Sequence, residues 1–314
     1  MSPMILTGAA IAAFALLAAG TAILPDWALF LVTMALAKGL VSLGIVGMMR
    51  GGLVSFGQGL FYCVGAYMAA MITNVFNVSD IVLVCAVAML ATGALGAALG
   101  PLLATYRGIF FAMLSLALSM VLYGTLAKMS AVGGTDGLNV TSPTFLGWAP
   151  EGTALQTALY LFTAAVTVIA GLLMRIYFDS ERGLITLAIR ENELRVEYLG
   201  ASVRNAMAWN YMFGACLGGL GGAIAALSLG HVDPEYAFWT TSGEFVFVAI
   251  LAGYLSVPAV FVASILLELV RSFSNLYFPN TWQIFLGAFL LAVIFLLPSG
   301  LGSLIKRKRA GDKK

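Results

Sequence analysis

Ten apolar runs, each close to the length of a membrane-crossing helix, follow one another along the 314-residue chain. They cover approximately 4–24, 28–49, 53–75, 80–105, 108–128, 154–177, 207–230, 242–256, 258–276 and 282–298. About 20 consecutive apolar residues carry a helix across the hydrocarbon layer. The run at 242–256 is short, so the count falls between nine and eleven. The runs are apolar throughout and do not alternate at every second position, which excludes a closed β-barrel. The pattern predicts an all-α, polytopic transmembrane helical bundle of about ten spans. One domain over 1–305 is followed by a basic tail, 306–314. Residues 1–24 carry no Lys or Arg ahead of their apolar run and read as a retained first helix, although Ala18-Ala19-Gly20 leaves cleavage open.

One stretch interrupts this pattern. Asp179 to Asn205 holds Arg182, Arg190, Arg195 and Arg204 together with Asp179, Glu181, Glu191, Glu193 and Glu197. Leu184, Leu187, Ala188, Leu194, Tyr198 and Leu199 recur within it near helical spacing and form one apolar stripe. Glu191 precedes Arg195 by four positions, the favourable order for a pair on a helix surface. Gly183 and Gly200 bracket the stretch, and Gly200 suits a C-terminal cap. The spacing therefore predicts a helix over 184–200, outside the bilayer. The residues alone admit two readings of it, an amphipathic helix resting on its own protein or headgroups and a coupling helix offered to another protein.

Composition agrees with the membrane reading: 61% hydrophobic and 10% charged residues, with a mean hydropathy of +1.00. With a cytoplasmic N-terminus and ten alternating helices, thirteen of the sixteen basic residues fall on the inner side, and only Lys38, Lys128 and Arg271 do not. Asp26, Asp80, Asp136, Glu151, Asp233 and Glu235 fall on the other. Positively charged loops stay in the cytoplasm, so both termini and the charged island are expected there. The net charge of +2 thus reflects topology and not attraction to nucleic acid. The tail 306–314 reads as a stop-transfer anchor near anionic headgroups.

The 35 glycines are clustered. Those at 93–101 and 214–230 suit close packing of helix backbones, because lipid offers no hydrophobic drive to pair helices. The cluster at 50–67 differs in holding Ser55 and Gln58 at membrane depth. Polar groups with flexible backbone at that depth face protein or a water-filled cavity, so solute-path lining and internal hydrogen bonding both stand for this segment. Gly57 and Gly59 flank Gln58 and free the backbone to leave a regular helix. The polar groups of Ser55 and Gln58 are expected to have partners even without solute. Cys63, Cys85 and Cys216 lie far apart within spans and read as buried thiols.

These segments resemble LivM-type permeases, the membrane subunits of ABC importers for branched-chain amino acids and related solutes. The resemblance rests on Gly52-Leu-Val-Ser55-Phe-Gly57-Gln58 through Gly65-Ala66-Tyr67, Arg107-Gly-Ile-Phe-Phe-Ala112 through Leu118, and Gly133-Gly134-Thr135-Asp136-Gly137-Leu138. It continues in Ala188-Ile189-Arg190-Glu191-Asn192-Glu193, followed by Leu199-Gly200, and in Pro298-Ser-Gly300-Leu301. The similarities run in order from about 40 to 302. The resemblance implies an ATPase-coupling role for Arg190, Glu191, Asn192, Glu193 and Gly200. The solute-path candidates Ser55, Gly57, Gln58, Gly59 and Asp136 are read from the glycine clusters themselves, although a turn-forming role for Asp136 stands beside contact with solute or binding protein. The implied partners are a second homologous permease, two ATPase subunits, a periplasmic solute-binding protein and the inner-membrane bilayer. The chain departs from the family pattern after Gly253, where Tyr254-Leu-Ser256-Val-Pro258 replaces further glycines, and Ser299 replaces the usual arginine.

Other chemistry is missing from the sequence. No Gly-Lys dipeptide is present, so there is no P-loop; ATP and Mg belong on partner subunits, with no cofactor expected on this chain. The single histidine, His231, excludes a two-histidine zinc motif and suits a local hydrogen bond or cap. Lys38 and Glu244 suit either neutralisation of a solute charge or pairing with another helix. Glu268 and Arg271, three apart, are placed to pair on one helix. An ion-coupled secondary transporter is the alternative function; it calls for inverted repeats with intramembrane acids, and no internal repeat is legible in the sequence.

Overall fold

The computed structural model describes residues 3–279, 281–297 and 300–303. Pro298-Ser299 and the tail 306–314 lie outside the described residues. Among the described residues twelve α-helices account for nearly all of the fold. They are α1 Pro3–Ile23, α2 Asp26–Met49, α3 Gln58–Val75, α4 Ile81–Leu103, α5 Gly108–Leu126, α6 Thr153–Asp179, α7 Glu181–Glu191, α8 Glu193–Tyr198, α9 Val203–Leu229, α10 Trp239–Ala252, α11 Val257–Tyr277 and α12 Trp282–Leu296. Among them α2, α4, α5, α6, α9 and α11 are long and apolar enough to cross a membrane. The molecule is a polytopic helical membrane protein. One short ladder joins the helices: Leu138–Asn139 (β1) pairs antiparallel with His231–Val232 (β2) and ties the 133–138 glycine loop to the chain after α9.

Helix ends follow local chemistry. Asp80 caps α4 by accepting from the Val82 and Leu83 amides, and Ser202 caps α9 by accepting from Asn205 N. Gly230, at φ +68°, closes α9 in the left-handed conformation.

The central pillar is α9, and its glycines let three helices approach it. A methyl at Gly44 of α2 would stand 2.7 Å from Gly214 Cα, and one at Gly65 of α3 would fall on the Gly219 carbonyl. A methyl at Gly96 of α4 would meet Ala215. With no side chain between them the backbones gain dispersion contact, the main drive to helix association in lipid. The glycine clusters at 93–101 and 214–230 are therefore packing surfaces.

Two halves of the chain share one format in opposite directions. In α2–α5 a long helix is followed by a break at 50–57, a shorter helix and two more helices. In α9–α12 the order is the same, with the break at 230–238. Helix α9 packs on α3 and α4, and α2 packs correspondingly on α10 and α11. This inverted format has no visible trace in residue identity, because the packing needs only small or apolar residues at each crossing.

The helix ends fall into two sets. At one, Arg107 pairs with Glu193, Arg204 Nε donates to Pro101 O, and Arg50 lies over the Phe178 ring. At the other, Asn74 Nδ2 donates to Asn139 O, Leu146 N donates to Asp80, and His231 Nδ1 lies 3.1 Å from Asn139 Oδ1. The local role expected for His231 is what the structure has.

The intramembrane charges pair differently from the expectation. Among the described residues the ion pair of Glu268 is with Lys38 of another helix. Lys38 Nζ of α2 lies 2.8 Å from Glu268 of α11 and 3.6 Å from Glu244 of α10, and Arg271 Nη1 lies 2.8 Å from Glu244. Three helices thus share one neutral network. Glu268 and Arg271 thus each pair with an opposite charge on a neighbouring helix.

Candidate functional site

The two breaks meet inside the bundle. Helix α3 starts at Gln58 and α10 at Trp239, and each has first-turn amides that no preceding helical turn can satisfy. Serine side chains from neighbouring helices bind the backbone of both breaks. Gly59 N donates to Ser242 Oγ of α10 at 3.1 Å, and Phe56 N donates to Ser115 Oγ of α5 at 3.2 Å. Ser119 Oγ, one turn along α5, donates to Ala237 O at 2.7 Å. Two serines four residues apart on α5 therefore hold one break each.

Glycine is required here by contact. A Cβ at Gly57 would stand 2.6 Å from Ser115 O, and one at Gly59 would collide with Ser242 Oγ. Ser55, Gly57, Gln58 and Gly59 are all buried, so the junction is closed in this conformation. Ser55 Oγ accepts from Gly57 N at 3.2 Å, as expected of a buried hydroxyl. Gln58 contradicts the expectation: among the described residues neither its Nε2 nor its Oε1 has a hydrogen-bond partner. Its amide faces Gly214 and Gly218, whose missing side chains leave room for it but offer no donor or acceptor.

Asp136 lies away from this junction. It is exposed in the glycine loop, where Gly133 and Gly137 take φ of +85° and +72°. The β1–β2 ladder connects that loop to the start of the 230–238 break.

The charged island forms two helices where one was expected. Asn192 leaves the helical region at φ −163° and caps α8 by accepting from Arg195 N at 2.9 Å. The break separates Glu191 from Arg195, and their predicted ion pair is not formed among the described residues. Glu193 instead takes Arg107 Nε at 2.9 Å from both carboxylate oxygens. Gly183 lies inside α7 and does not bracket it. Gly200, at φ +87°, does end α8: its amide donates to Glu197 O and that of Ala201 to Val196 O, the Schellman pattern.

Gly183, Thr186, Ile189 and Val196 face the protein, whereas Leu184, Leu194, Tyr198 and Leu199 are 57%, 66%, 88% and 82% exposed. Ala188 is exposed with them and Leu187 is half-buried, so most of the predicted apolar stripe is uncovered by this chain. Arg190, Glu191 and Asn192 are exposed beside it, along a cleft of about 300 Å³ that also reaches Gly52 and Arg107. The Arg190 guanidinium lies 3.7 Å over the Tyr254 ring.

Sequence reasoning missed Ser115, Ser119 and Ser242. The available signal was Ser115 and Ser119 at i, i+4 in an apolar span. They and Phe111 are the buried residues of α5, so a polar stripe is its inner face.

Comparison with known proteins places this geometry in context. The family described as branched-chain amino acid transport system / permease component matches residues 27–294. The high-affinity branched-chain amino acid transport system permease protein LivM of Escherichia coli K12 is 25% identical over 276 residues, covering 80% of this chain and 64% of LivM. LivM of Salmonella typhimurium LT2 is 24% identical over the same length. The high-affinity branched-chain amino acid transport system permease protein LivH of Escherichia coli K12 is 22% identical over 272 residues, 82% of this chain and 86% of LivH. This chain therefore spans less than two thirds of the LivM relatives. No solved structure matches it.

Proposed function

The chain belongs to the branched-chain amino acid transport system permease family, and from that membership we propose that it is the membrane-spanning subunit of an ATP-driven importer for a small polar solute, an amino acid or a close relative. The observation that carries this reading is the uncovered apolar stripe on α7 and α8. Exposed apolar patches rimmed by charge mark interaction sites, and this one is set among Arg182, Arg190 and Arg195 at the basic end of the bundle. The positive-inside rule puts that end, with both termini, in the cytoplasm, where an ATPase is available. Arg190, Glu191, Asn192, Glu193 and Gly200 form the coupling surface, Gly200 by ending α8. The further partners are a second homologous permease, a second ATPase subunit and a periplasmic binding protein.

On this reading all ten apolar helices cross or enter the bilayer, with α3 and α10 starting at the two breaks inside the bundle. The solute path runs through the junction of Ser55, Gly57, Gln58 and Gly59, and Asp136 belongs to the periplasmic surface that receives the binding protein. The starts of α3 and α10 carry the positive ends of their helix dipoles, which favours a carboxylate-bearing solute. The ion-coupled alternative finds its inverted format here, but Glu244 and Glu268 are each held by a cation and are not poised to bind another.

The test is capture of the ATPase. Leu194→Asp with Leu199→Asp, two exposed positions, should leave the chain folded and membrane-inserted while ATPase subunits no longer co-purify and solute-stimulated ATP hydrolysis disappears. Unchanged capture and hydrolysis in that variant would sink the coupling assignment.

The lone amide gives a second expectation. Gln58→Met removes a buried unpaired group that costs roughly 1–3 kcal/mol. The variant should melt at a higher temperature than the parent while uptake falls. A loss of both stability and uptake would mean that Gln58 serves packing alone.

A further inference from the structure

Helix α10 touches both functional regions. Its first turn holds the closed junction through Ser242 and Gly59, and Glu244 fixes it laterally to Arg271, with Lys38 beyond. Its last residue, Ala252, is followed by Gly253 at φ +72° and then by Tyr254. The Tyr254 ring lies under the Arg190 guanidinium of α7, and the Tyr254 carbonyl accepts from Arg50 Nη1 at 3.4 Å. Fourteen residues make α10 about 21 Å long at 1.5 Å per residue. It is buried along most of that length, at Ser242 to Val246, Val248, Ala249, Leu251 and Ala252.

A short buried helix anchored at both ends moves as one body, because a close-packed interior transmits displacement without absorbing it. The other route from the island to the junction is α9, which is chain-continuous with α8. Glycine contacts with α2, α3 and α4 hold α9 on three sides, as befits a fixed pillar. The movable connection is α10, and its contact with the island is one ring and one guanidinium.

We propose that Tyr254 is the positioning residue through which the island displaces α10 and so opens the Ser242–Gly59 closure. The inference rests on the ABC reading above, since an ATPase supplies the displacement. It is tested in the full chain assembled with its ATPase subunits, carrying Trp239→Cys at the exposed start of α10 with the native cysteines replaced. The readout is the rate of maleimide labelling at position 239 with and without ATP and vanadate.

The parent should label at different rates in the two conditions. Tyr254→Ala should reduce that difference by roughly threefold, on the scale of a cation–π contact at an exposed site, while ATP hydrolysis continues. Tyr254→Phe, which keeps the ring, should restore it. Arg190→Ala should shrink the difference at least as far as Tyr254→Ala does, and the double variant should be no worse than the more affected of the two, which keeps the test sharp if one variant folds poorly. A full labelling response in Tyr254→Ala or Arg190→Ala overturns this link and leaves the ABC reading standing. A parent chain that binds no ATPase overturns both.

Discussion

Lys38→Met should destabilise the protein by about 3–5 kcal/mol, the usual cost of breaking a buried ion pair from one side. Lys38 is 8% exposed in the middle of α2, and it is the cation closest to Glu268. Two cations and two carboxylates make the network neutral, so removing Lys38 leaves a net negative charge among α2, α10 and α11. The expected readout is a lower melting temperature in detergent and a smaller monodisperse fraction on size exclusion. Lys38→Met combined with Glu268→Gln restores neutrality and should recover much of the loss, because the penalty comes from the uncompensated charge. A double variant as unstable as Lys38→Met would show that Lys38 matters for its stem and not its charge.

The second large effect is an asymmetry at the crossing of α2 and α9. A methyl at Gly44 would stand 2.7 Å from Gly214 Cα and 3.0 Å from its carbonyl oxygen. Those atoms are backbone in the central pillar and cannot step aside. Gly44→Ala should cost about 1–3 kcal/mol, the range for overpacking, and Gly44→Leu should prevent folding. A methyl at Gly214 meets chiefly the end of the Gln58 amide at 3.0 Å, with its other neighbours at 3.4 Å. That amide has no hydrogen bond to lose, so Gly214→Ala should be mild. Thermal melts of the two alanine variants decide the point: equal damage from both would mean that the helices shift apart as a unit and that Gln58 does not give way.

Class, span positions and the charged island follow from residue identity, because each depends on chemistry local in the chain. An apolar run of span length has to bury its backbone in a helix, and each of the ten runs falls largely on a helix among the described residues, six of them long and apolar enough to cross a membrane. The glycine cluster at 50–59 announced a departure from helix, and the chain is irregular from 51 to 57. The apolar stripe of the island was visible as periodicity, and its exposure shows that this chain alone does not satisfy it.

Pairing across the bundle was decided elsewhere. Lys38, Glu244, Glu268 and Arg271 could each be seen as costly at membrane depth, but a same-helix pair was the only one that spacing could suggest. Contacts 230 residues apart, such as Lys38 with Glu268, depend on which helix faces are turned together. The single island helix of the sequence reading became two for a similar reason. Asn192 caps α8, and Glu193, now the first residue of α8, reaches Arg107 across the basic end of the bundle. The serines of α5 were legible as a spacing and illegible as a site, since their meaning lies in two breaks that fold onto them from opposite ends of the chain. Sequence by itself determined that this chain lives in a membrane as packed helices and presents a charged, apolar-striped surface at one end. Only the tertiary structure decided that α3 and α10 start face to face and that α10 joins the island to that closure, because apolar residues specify burial without specifying a partner.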